Sequence, residues 1–147
     1  MSRPAHILLV EDNRMDVELT LDAFHEAHLG NTVHVAPGGQ AALDYVFGRG
    51  EFADREKYPW PDLVLLDLKM PAVDGFEVLR QMKSASLIKR LPVVVLTSSR
   101  EEGDCALSYD LGVNSYLVKP VSFEGFLEVI RRVGNYWLSL NVGPPEA

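Results

Sequence analysis

The stretch that decides the fold is "PDLVLLDLKMPAVDG", residues 61–75. Its apolar run from Leu63 to Leu66 is typical of a strand that is buried on both faces, and it stops on a carboxylate, Asp67. Burying an unpaired carboxylate is very costly, so this end of the strand must reach solvent, a metal ion or a cationic side chain. The rest of the chain has to supply that partner.

Strand-like runs alternate with helix-like patterns along all 147 residues. Strands are predicted at 6–11, 32–36, 63–68, 92–98 and 115–119, and helices at 14–28, 38–48, 75–87, 101–111 and 122–139. Repeated β–α units with right-handed crossovers predict a single α/β domain, 1–147, around a central parallel sheet. We expect its core at about 5–139, with 48–62 as an irregular insertion and 140–147 as a C-terminal tail.

The composition argues against several classes of protein. A formal net charge of −7 at pH 7 argues against nucleic acid or an anionic membrane as a partner, because both need a basic surface. No apolar run approaches the ~18 residues of a membrane span, and the N-terminus lacks a signal-peptide core. Cys105 is the only cysteine, so no internal disulfide forms. We therefore expect a cytoplasmic protein.

Polar side chains stand at the carboxyl ends of four predicted strands, the edge where open parallel sheets bind ligands. They are Glu11 and Asp12, Asp67, Thr97 and Lys119, in chain order. Each alone has a simpler explanation, since acids often cap the next helix and most lysines are solvated. Their convergence has none, because three carboxylates in one crevice repel and one lysine neutralises too little of their charge. A hard divalent cation such as Mg²⁺ would balance them.

Four segments resemble the response-regulator receiver domain (CheY-like) of bacterial two-component systems. These segments are "LLVEDN" (8–13), "DLVLLDLKMPAVDG" (62–75), "PVVVLTSS" (92–99) and "NSYLVKP" (114–120). Their order and spacing extend the resemblance over essentially residues 5–139. It implies a flavodoxin-like (βα)5 fold, doubly wound, with a five-stranded parallel sheet of order 2-1-3-4-5.

The resemblance also implies a Mg²⁺-dependent phosphoacceptor site. Asp67 would accept a phosphoryl group from the phosphohistidine of a sensor histidine kinase, while Thr97 and Lys119 contact that group. The ion would be held by Glu11, Asp12, Asp67 and the backbone carbonyl of Lys69. Such a chain is a signalling phosphoacceptor rather than an enzyme acting on other substrates, because it catalyses only its own phosphorylation and dephosphorylation.

The same resemblance implies a switch. Thr97 would move to the phosphoryl group, and Tyr116 would then turn inward, although Tyr116 also fits an ordinary core aromatic. Lys69 would bring a second cation beside the phosphoryl group. The Lys119–Pro120 bond would be cis, an isomer that X–Pro bonds adopt at low cost.

The output is expected to pass through a protein contact. The last predicted helix has apolar residues on more than one stripe, which favours a homodimer through the 101–140 face; the alternative is that these residues close the core. The "YPWPD" insertion and the "NYWLSL" end of that helix resemble standalone receivers that partner bacterial phytochrome histidine kinases.

Three other functions compete with this interpretation. A haloacid-dehalogenase-like phosphatase needs an acid two residues after its nucleophile, where Lys69 stands. A flavodoxin-like cofactor binder has only "PGGQAAL" (37–43) in its favour, without Walker A or Rossmann spacing. A receiver that only docks partners would not need its acceptor residues. A phosphate relay through His25 or His28 is disfavoured, because their helix neighbours explain both as core-edge or surface residues.

Overall fold

The structure, a computed structural model, describes residues 5–29, 31–140 and 142–144. Its strands are β1 (His6–Val10), β2 (Thr32–Ala36), β3 (Leu63–Leu66), β4 (Val93–Thr97) and β5 (Ser115–Val118). They form one five-stranded sheet of order β2-β1-β3-β4-β5, in which every neighbouring pair is parallel. The predicted fold class and strand order are therefore confirmed, and each predicted strand matches to within two residues at either end.

Five α-helices connect and follow the strands. They are α1 (Arg14–Glu26), α2 (Gly39–Phe47), α3 (Gly75–Ser84), α4 (Glu102–Asp110) and α5 (Phe123–Val133), and α5 continues as a π-helical segment, Gly134–Leu140. Three helices begin at a side-chain cap, since Asn13, Asp74 and Ser122 each accept a hydrogen bond from a first-turn backbone N–H. The first helix ends two residues before the predicted position because His28 adopts a positive φ of 51°.

Two apolar layers enclose the sheet, one on each face. Successive residues of a strand point to opposite faces, so Leu8 and Val10 pack with α2 and α3, while Ile7 and Leu9 pack with α1 and α5. Strands β3 and β4 are fully buried along their length. This explains their nearly continuous apolar sequences, and because the two strands are parallel, their carboxyl ends lie at the same edge of the sheet.

The 48–62 insertion is irregular, as predicted, except for a short 3₁₀ turn at Gly50–Phe52, and it packs against the core. The rings of Phe52 and Tyr58 lie 5.3 and 5.9 Å, centroid to centroid, from the buried ring of Tyr45. The guanidinium of Arg55 donates to the carbonyls of Tyr45 (2.8 Å) and Val46 (3.0 Å). These carbonyls belong to the last turn of α2, so Arg55 caps that helix together with the Gly48 N–H, which also donates to the Tyr45 carbonyl (3.1 Å).

One backbone expectation is wrong. None of the described peptide bonds is cis, so the Lys119–Pro120 bond is trans. The two isomers of an X–Pro bond differ by only about 0.5–1 kcal/mol, so the dipeptide does not by itself determine which is adopted. Part of the predicted tail, residues 141 and 145–147, lies outside the described residues. No helix in the described part of the chain is long and apolar enough to cross a membrane.

Gly75 is a glycine whose replacement should damage the fold next to the acid cluster. A Cβ there would lie 2.4 Å from the Asp67 carbonyl oxygen and 2.7 Å from the Cα of Leu68, both of which are backbone atoms. Gly75→Ala is therefore expected to lower the free energy of unfolding by about 2–3 kcal/mol in urea titrations. Gly103→Ala is the matched control, because its Cβ would meet nothing within 4 Å. It should raise the free energy of unfolding by about 0.5 kcal/mol, and equal effects would contradict this packing argument.

Candidate functional site

Asp67 directly follows the buried strand β3. Its backbone N–H donates to the Val10 carbonyl (3.0 Å), so the sheet pairing continues one residue past the strand. Its Oδ1 accepts from the Leu68 N–H (2.9 Å), while its Oδ2 lies 3.7 Å from Lys119 Nζ. The residue is 8% exposed. Backbone contacts thus fix one carboxylate oxygen and leave the other beside a cation.

Two acids at the end of β1 lie beside Asp67. One carboxylate oxygen each of Glu11, Asp12 and Asp67 lies within 4.8 Å of the other two. Glu11 is buried and Asp12 is exposed, so the cluster has a closed side and an open side. The structure therefore contains the convergence of acids that the strand order predicts, since β1 and β3 are direct neighbours in the sheet.

Lys119 is the cation of this cluster. Its Nζ lies 2.6 Å from Glu11, 2.9 Å from Asp16 and 3.7 Å from Asp67, measured to carboxylate oxygens, and its side chain is 10% exposed. Its backbone N–H donates to the Thr97 carbonyl (2.7 Å), which fixes the lysine at the end of β5. One ammonium therefore contacts acids from three elements, at hydrogen-bond distance for two of them.

The pKa values of this cluster indicate that it holds too little positive charge to balance its carboxylates. Burial raises the pKa of Glu11 to about 7, and the charge of Asp67 contributes to this rise, although the hydrogen bond from Lys119 opposes it. Burial alone would lower the pKa of Lys119, but its hydrogen bonds to Glu11 and Asp16 outweigh burial and raise it. Lys119 therefore stays charged, and its single charge does not keep Glu11 fully ionised at neutral pH.

The donor set of the cluster fits a hard divalent cation. Glu11, Asp12 and Asp67 offer only oxygen ligands from close positions, and ions such as Mg²⁺ prefer carboxylates combined with water. The raised pKa of Glu11 also indicates a cation site, because a bound cation would keep that carboxylate ionised. The residues present thus fit the Mg²⁺ ion expected from the sequence.

Mg²⁺ affinity should depend on pH through Glu11. A proton on this carboxylate competes with the ion, and the pKa of Glu11 is about 7 without metal. The dissociation constant should therefore fall as pH rises from 6 to 8, and binding below pH 7 should release protons. Titration calorimetry in two buffers of different ionisation enthalpy measures that release. In Glu11→Gln the release should disappear, and an unchanged release in this variant would assign it to another group.

A second polar group lies beside the acid cluster and links it to α4. Thr97 Oγ1 accepts from the Ser99 N–H (3.3 Å), and the Tyr116 hydroxyl donates to the Ser99 carbonyl (3.0 Å). The Ser99 hydroxyl in turn donates to Asp104 Oδ2 (2.6 Å), which lies 3.2 Å from Lys69 Nζ. The hydrogen bond from Ser99 lowers the pKa of Asp104. The hydrogen bond between Lys69 and Asp104 raises the pKa of Lys69. The predicted switch residues are thus joined through Ser99.

The structure also places three further residues that the sequence analysis singled out. The Tyr116 ring is half-buried, and its hydroxyl donates a hydrogen bond to the Ser99 carbonyl. The Lys69 ammonium pairs with Asp104. His25 is 11 residues along α1 from Arg14, which places it ~16 Å from the end of the helix that reaches the site. That separation agrees with the view that neither His25 nor His28 relays phosphate.

Two functional candidates were missed from the sequence, Asp16 and Asp104. Both are acids in the first turn of a helix, where the usual explanation is interaction with the helix dipole. Asp16 instead contacts Lys119, and Asp104 contacts Lys69 and Ser99. The signal that could have found Asp16 is its place three residues after the cap Asn13, on a helix that begins at the site.

Comparison with known proteins gives the family. Residues 7–131 match the family described as "Response regulator receiver domain". "Probable methanogenesis regulatory protein FilR2" of Methanothrix harundinacea (strain 6Ac) is 40% identical over 144 residues, which are 98% of this chain and 90% of that protein.

Two solved structures extend the comparison. The phosphorylated cyanobacterial phytochrome response regulator RcpA is similar with a TM-score of 0.90 and 37% identity, over 97% of this chain and 100% of that one. The bacteriophytochrome response regulator AtBRR is similar with a TM-score of 0.76 and 48% identity, over 96% of this chain and 100% of that one. Since the fold, the acid cluster and the family match all agree, the chain belongs to the response regulator receiver domain family.

Proposed function

We propose that this chain accepts a phosphoryl group on Asp67 from the phosphohistidine of a sensor histidine kinase, in a Mg²⁺-dependent reaction, and so changes a protein-interaction surface. The observation that carries the proposal is the position of the Asp67 carboxylate. It lies within 4.8 Å of the carboxylates of Glu11 and Asp12 and 3.7 Å from the Lys119 ammonium. That is a nucleophile with a metal-ligand set on one side and a fixed cation on the other.

In the proposed reaction Asp67 Oδ2 forms a bond to phosphorus. The P–N bond of the donor breaks, its electron pair goes to the imidazole nitrogen, and that nitrogen takes up a proton. Lys119 stabilises the negative charge of the transferring group, because it already lies beside the nucleophilic oxygen. Glu11, Asp12, Asp67 and the Lys69 carbonyl would hold Mg²⁺, which would supply further positive charge to the transferring group. The Thr97 hydroxyl oxygen accepts a hydrogen bond from the Ser99 N–H. The hydroxyl proton of Thr97 is then free to be donated to a phosphoryl oxygen.

The same residues define the limits of the activity. We infer that residues 1–147 form a single receiver domain, with its core at about 5–139, and that it catalyses only its own phosphorylation and dephosphorylation. Histidine kinases make phosphohistidine from ATP, so we place the protein in the cytoplasm. Phosphorylation adds about −1.5 to −2 of charge at Asp67. Thr97 and Tyr116 would carry that change outward, since both contact Ser99.

We propose a bacterial phytochrome histidine kinase as the phosphoryl donor. RcpA and AtBRR, which are 37% and 48% identical to this chain, are described as response regulators of phytochromes. FilR2, at 40%, is described as a probable methanogenesis regulator, so the donor needs a direct test. Phosphotransfer from ³²P-labelled kinases should be fastest from a phytochrome kinase of the same cell. Faster transfer from a kinase of another class would reject this donor.

We also propose a homodimer through the 101–140 face. Leu107, Tyr109, Phe123 and Tyr136 on this face are 38–52% exposed, and β5 is an edge strand of the sheet. A two-fold dimer would cover these side chains, and it is the commonest arrangement of identical chains. In sedimentation equilibrium, Tyr109→Glu should shift the chain toward monomer. Met15→Glu is the control, because Met15 is 80% exposed on α1, outside this face. Equal masses for the two variants would contradict the proposed interface.

The experiment that tests phosphorylation uses acetyl phosphate with Mg²⁺. A single base-labile adduct on Asp67, found by mass spectrometry and lost when EDTA is added first, is the expected result. No adduct would favour a receiver that only docks partners. Turnover of many unrelated phosphate esters would instead favour the phosphatase alternative.

A further inference from the structure

One ion pair ties the loop that follows Asp67 to α4. Lys69, two residues after the acceptor, places its Nζ 3.2 Å from Asp104 Oδ2, and the Ser99 hydroxyl donates to the same oxygen (2.6 Å). The Asp104 side chain is 14% exposed, whereas that of Lys69 is 59% exposed. A nearly enclosed carboxylate is thus held by one fixed hydroxyl and by one ammonium that solvent reaches. We call the contact between Lys69 and Asp104 the tether.

The tether matters because apolar contacts hold α4 weakly. Ser108 is the one buried residue of this helix, and its two large apolar side chains, Leu107 and Tyr109, are 38% and 52% exposed. By contrast, Val78, Leu79 and Met82 of α3 are fully buried. The helix also begins without a side-chain cap, since its N-cap residue Glu101 accepts no first-turn N–H. Polar contacts of Asp104 therefore contribute a large share of what fixes the first turn of α4.

We propose that phosphorylation of Asp67 opens the tether, because Lys69 leaves Asp104 for the phosphoryl group and α4 is released. This inference rests on the proposed function. The phosphoryl group carries about −1.5 to −2 of charge, and Asp104 only −1, so it competes well for an ammonium two residues away. Exchange is easy for Lys69, since exposed ion pairs are weak and its long side chain is mostly in solvent.

Loss of the tether should also affect Tyr116, through Ser99. Asp104 then keeps its hydrogen bond from Ser99, whose carbonyl accepts from the Tyr116 hydroxyl. Asp104 is in this view a positioning residue, which touches no phosphoryl oxygen and acts through Lys69 and Ser99. The charge change at Asp67 is passed to α4 by exchange of one cation between two anions. The helix that it frees belongs to the 101–140 face.

Hydrogen exchange of the α4 amides, residues 105–108, tests the tether. The probe is beryllofluoride with Mg²⁺, which mimics a phosphoryl group on a carboxylate. In the unmodified chain the probe should speed exchange of these amides about 3- to 5-fold, as expected for loss of one exposed ion pair. In Asp104→Asn, exchange should already be that fast without the probe, and the probe should add less than about 2-fold.

Glu102→Gln is the matched control, because Glu102 is an exposed acid of the same helical turn and makes none of the tether contacts. It should behave as the unmodified chain does, which separates the tether from a general helix-dipole effect. If Asp104→Asn without probe exchanges as slowly as the unmodified chain, the tether does not hold α4. If beryllofluoride binds, as ¹⁹F NMR shows, and α4 exchange stays constant, the opening step is wrong. If no beryllofluoride binds, the proposed function fails, and with it the opening step.

Discussion

Asp67→Asn is expected to abolish phosphorylation while the fold persists. An amide oxygen is a poor nucleophile toward phosphorus, so labelling by a cognate kinase or by acetyl phosphate should fall at least about 10³-fold. The fold should survive, because an asparagine Oδ1 can still accept from the Leu68 N–H as the Asp67 Oδ1 does. Without metal the variant also loses repulsion from Glu11 and Asp12 together with attraction to Lys119. These opposed changes should keep the free energy of unfolding within about 1 kcal/mol of the parent.

Asp54→Asn is the matched control for this experiment. Asp54 is an exposed acid of the insertion that does not belong to the acid cluster, so the same loss of charge there should leave labelling unchanged. The readouts are radiolabel incorporation and urea unfolding by circular dichroism. Labelling of Asp67→Asn at the parental rate would show that another side chain is the acceptor. Parental labelling combined with a correct fold would overturn the site rather than the family.

The fold was predictable because its signals are local. Continuous apolar runs such as Leu63–Leu66 mark strands that are buried on both faces, and the alternation of strands with helices selects a parallel sheet. The packed insertion was not predictable in the same way. Its order depends on Phe52, Tyr58 and Arg55 meeting Tyr45, and such contacts between distant segments leave no periodic pattern.

The same distinction divides the site. Glu11, Asp67 and Lys119 each stand at the end of a strand, so topology alone brings them to one edge of the sheet. Asp16 and Asp104 reach the site from helices, and which way a first-turn acid points depends on how the helix is rotated against the sheet. Strand patterns carry no information on that rotation. The sequence therefore predicted the cluster of acids around Lys119 and missed Asp16 and Asp104, which contact Lys119 and Lys69.

Lys119→Met should change three properties of the protein in different directions. Phosphorylation should slow by about 10²- to 10³-fold, because a fixed cation beside the reacting oxygen is lost. Stability without metal should fall by about 3 kcal/mol, since Glu11 and its neighbours lose the ammonium that pairs with them. Mg²⁺ affinity at pH 8.5 should nevertheless rise about 10-fold or more, because the ion no longer enters a site that already holds a positive charge.

Lys119→Met is a decisive variant because its phosphorylation rate and stability should fall while its Mg²⁺ affinity rises. Because Mg²⁺ binds the folded chain more tightly, it should restore more stability to Lys119→Met than to the parent, and thermal unfolding with and without the ion measures this. Lys83→Met is the matched control. Lys83 is also half-buried, yet its Nζ donates only to the carbonyls of Lys89 and Leu91 among the contacts that the structure describes. Its substitution should leave Mg²⁺ affinity unchanged. If Lys119→Met instead binds Mg²⁺ more weakly than the parent, the lysine orders the metal ligands, and the charge shortage inferred from Glu11 is not what recruits the ion.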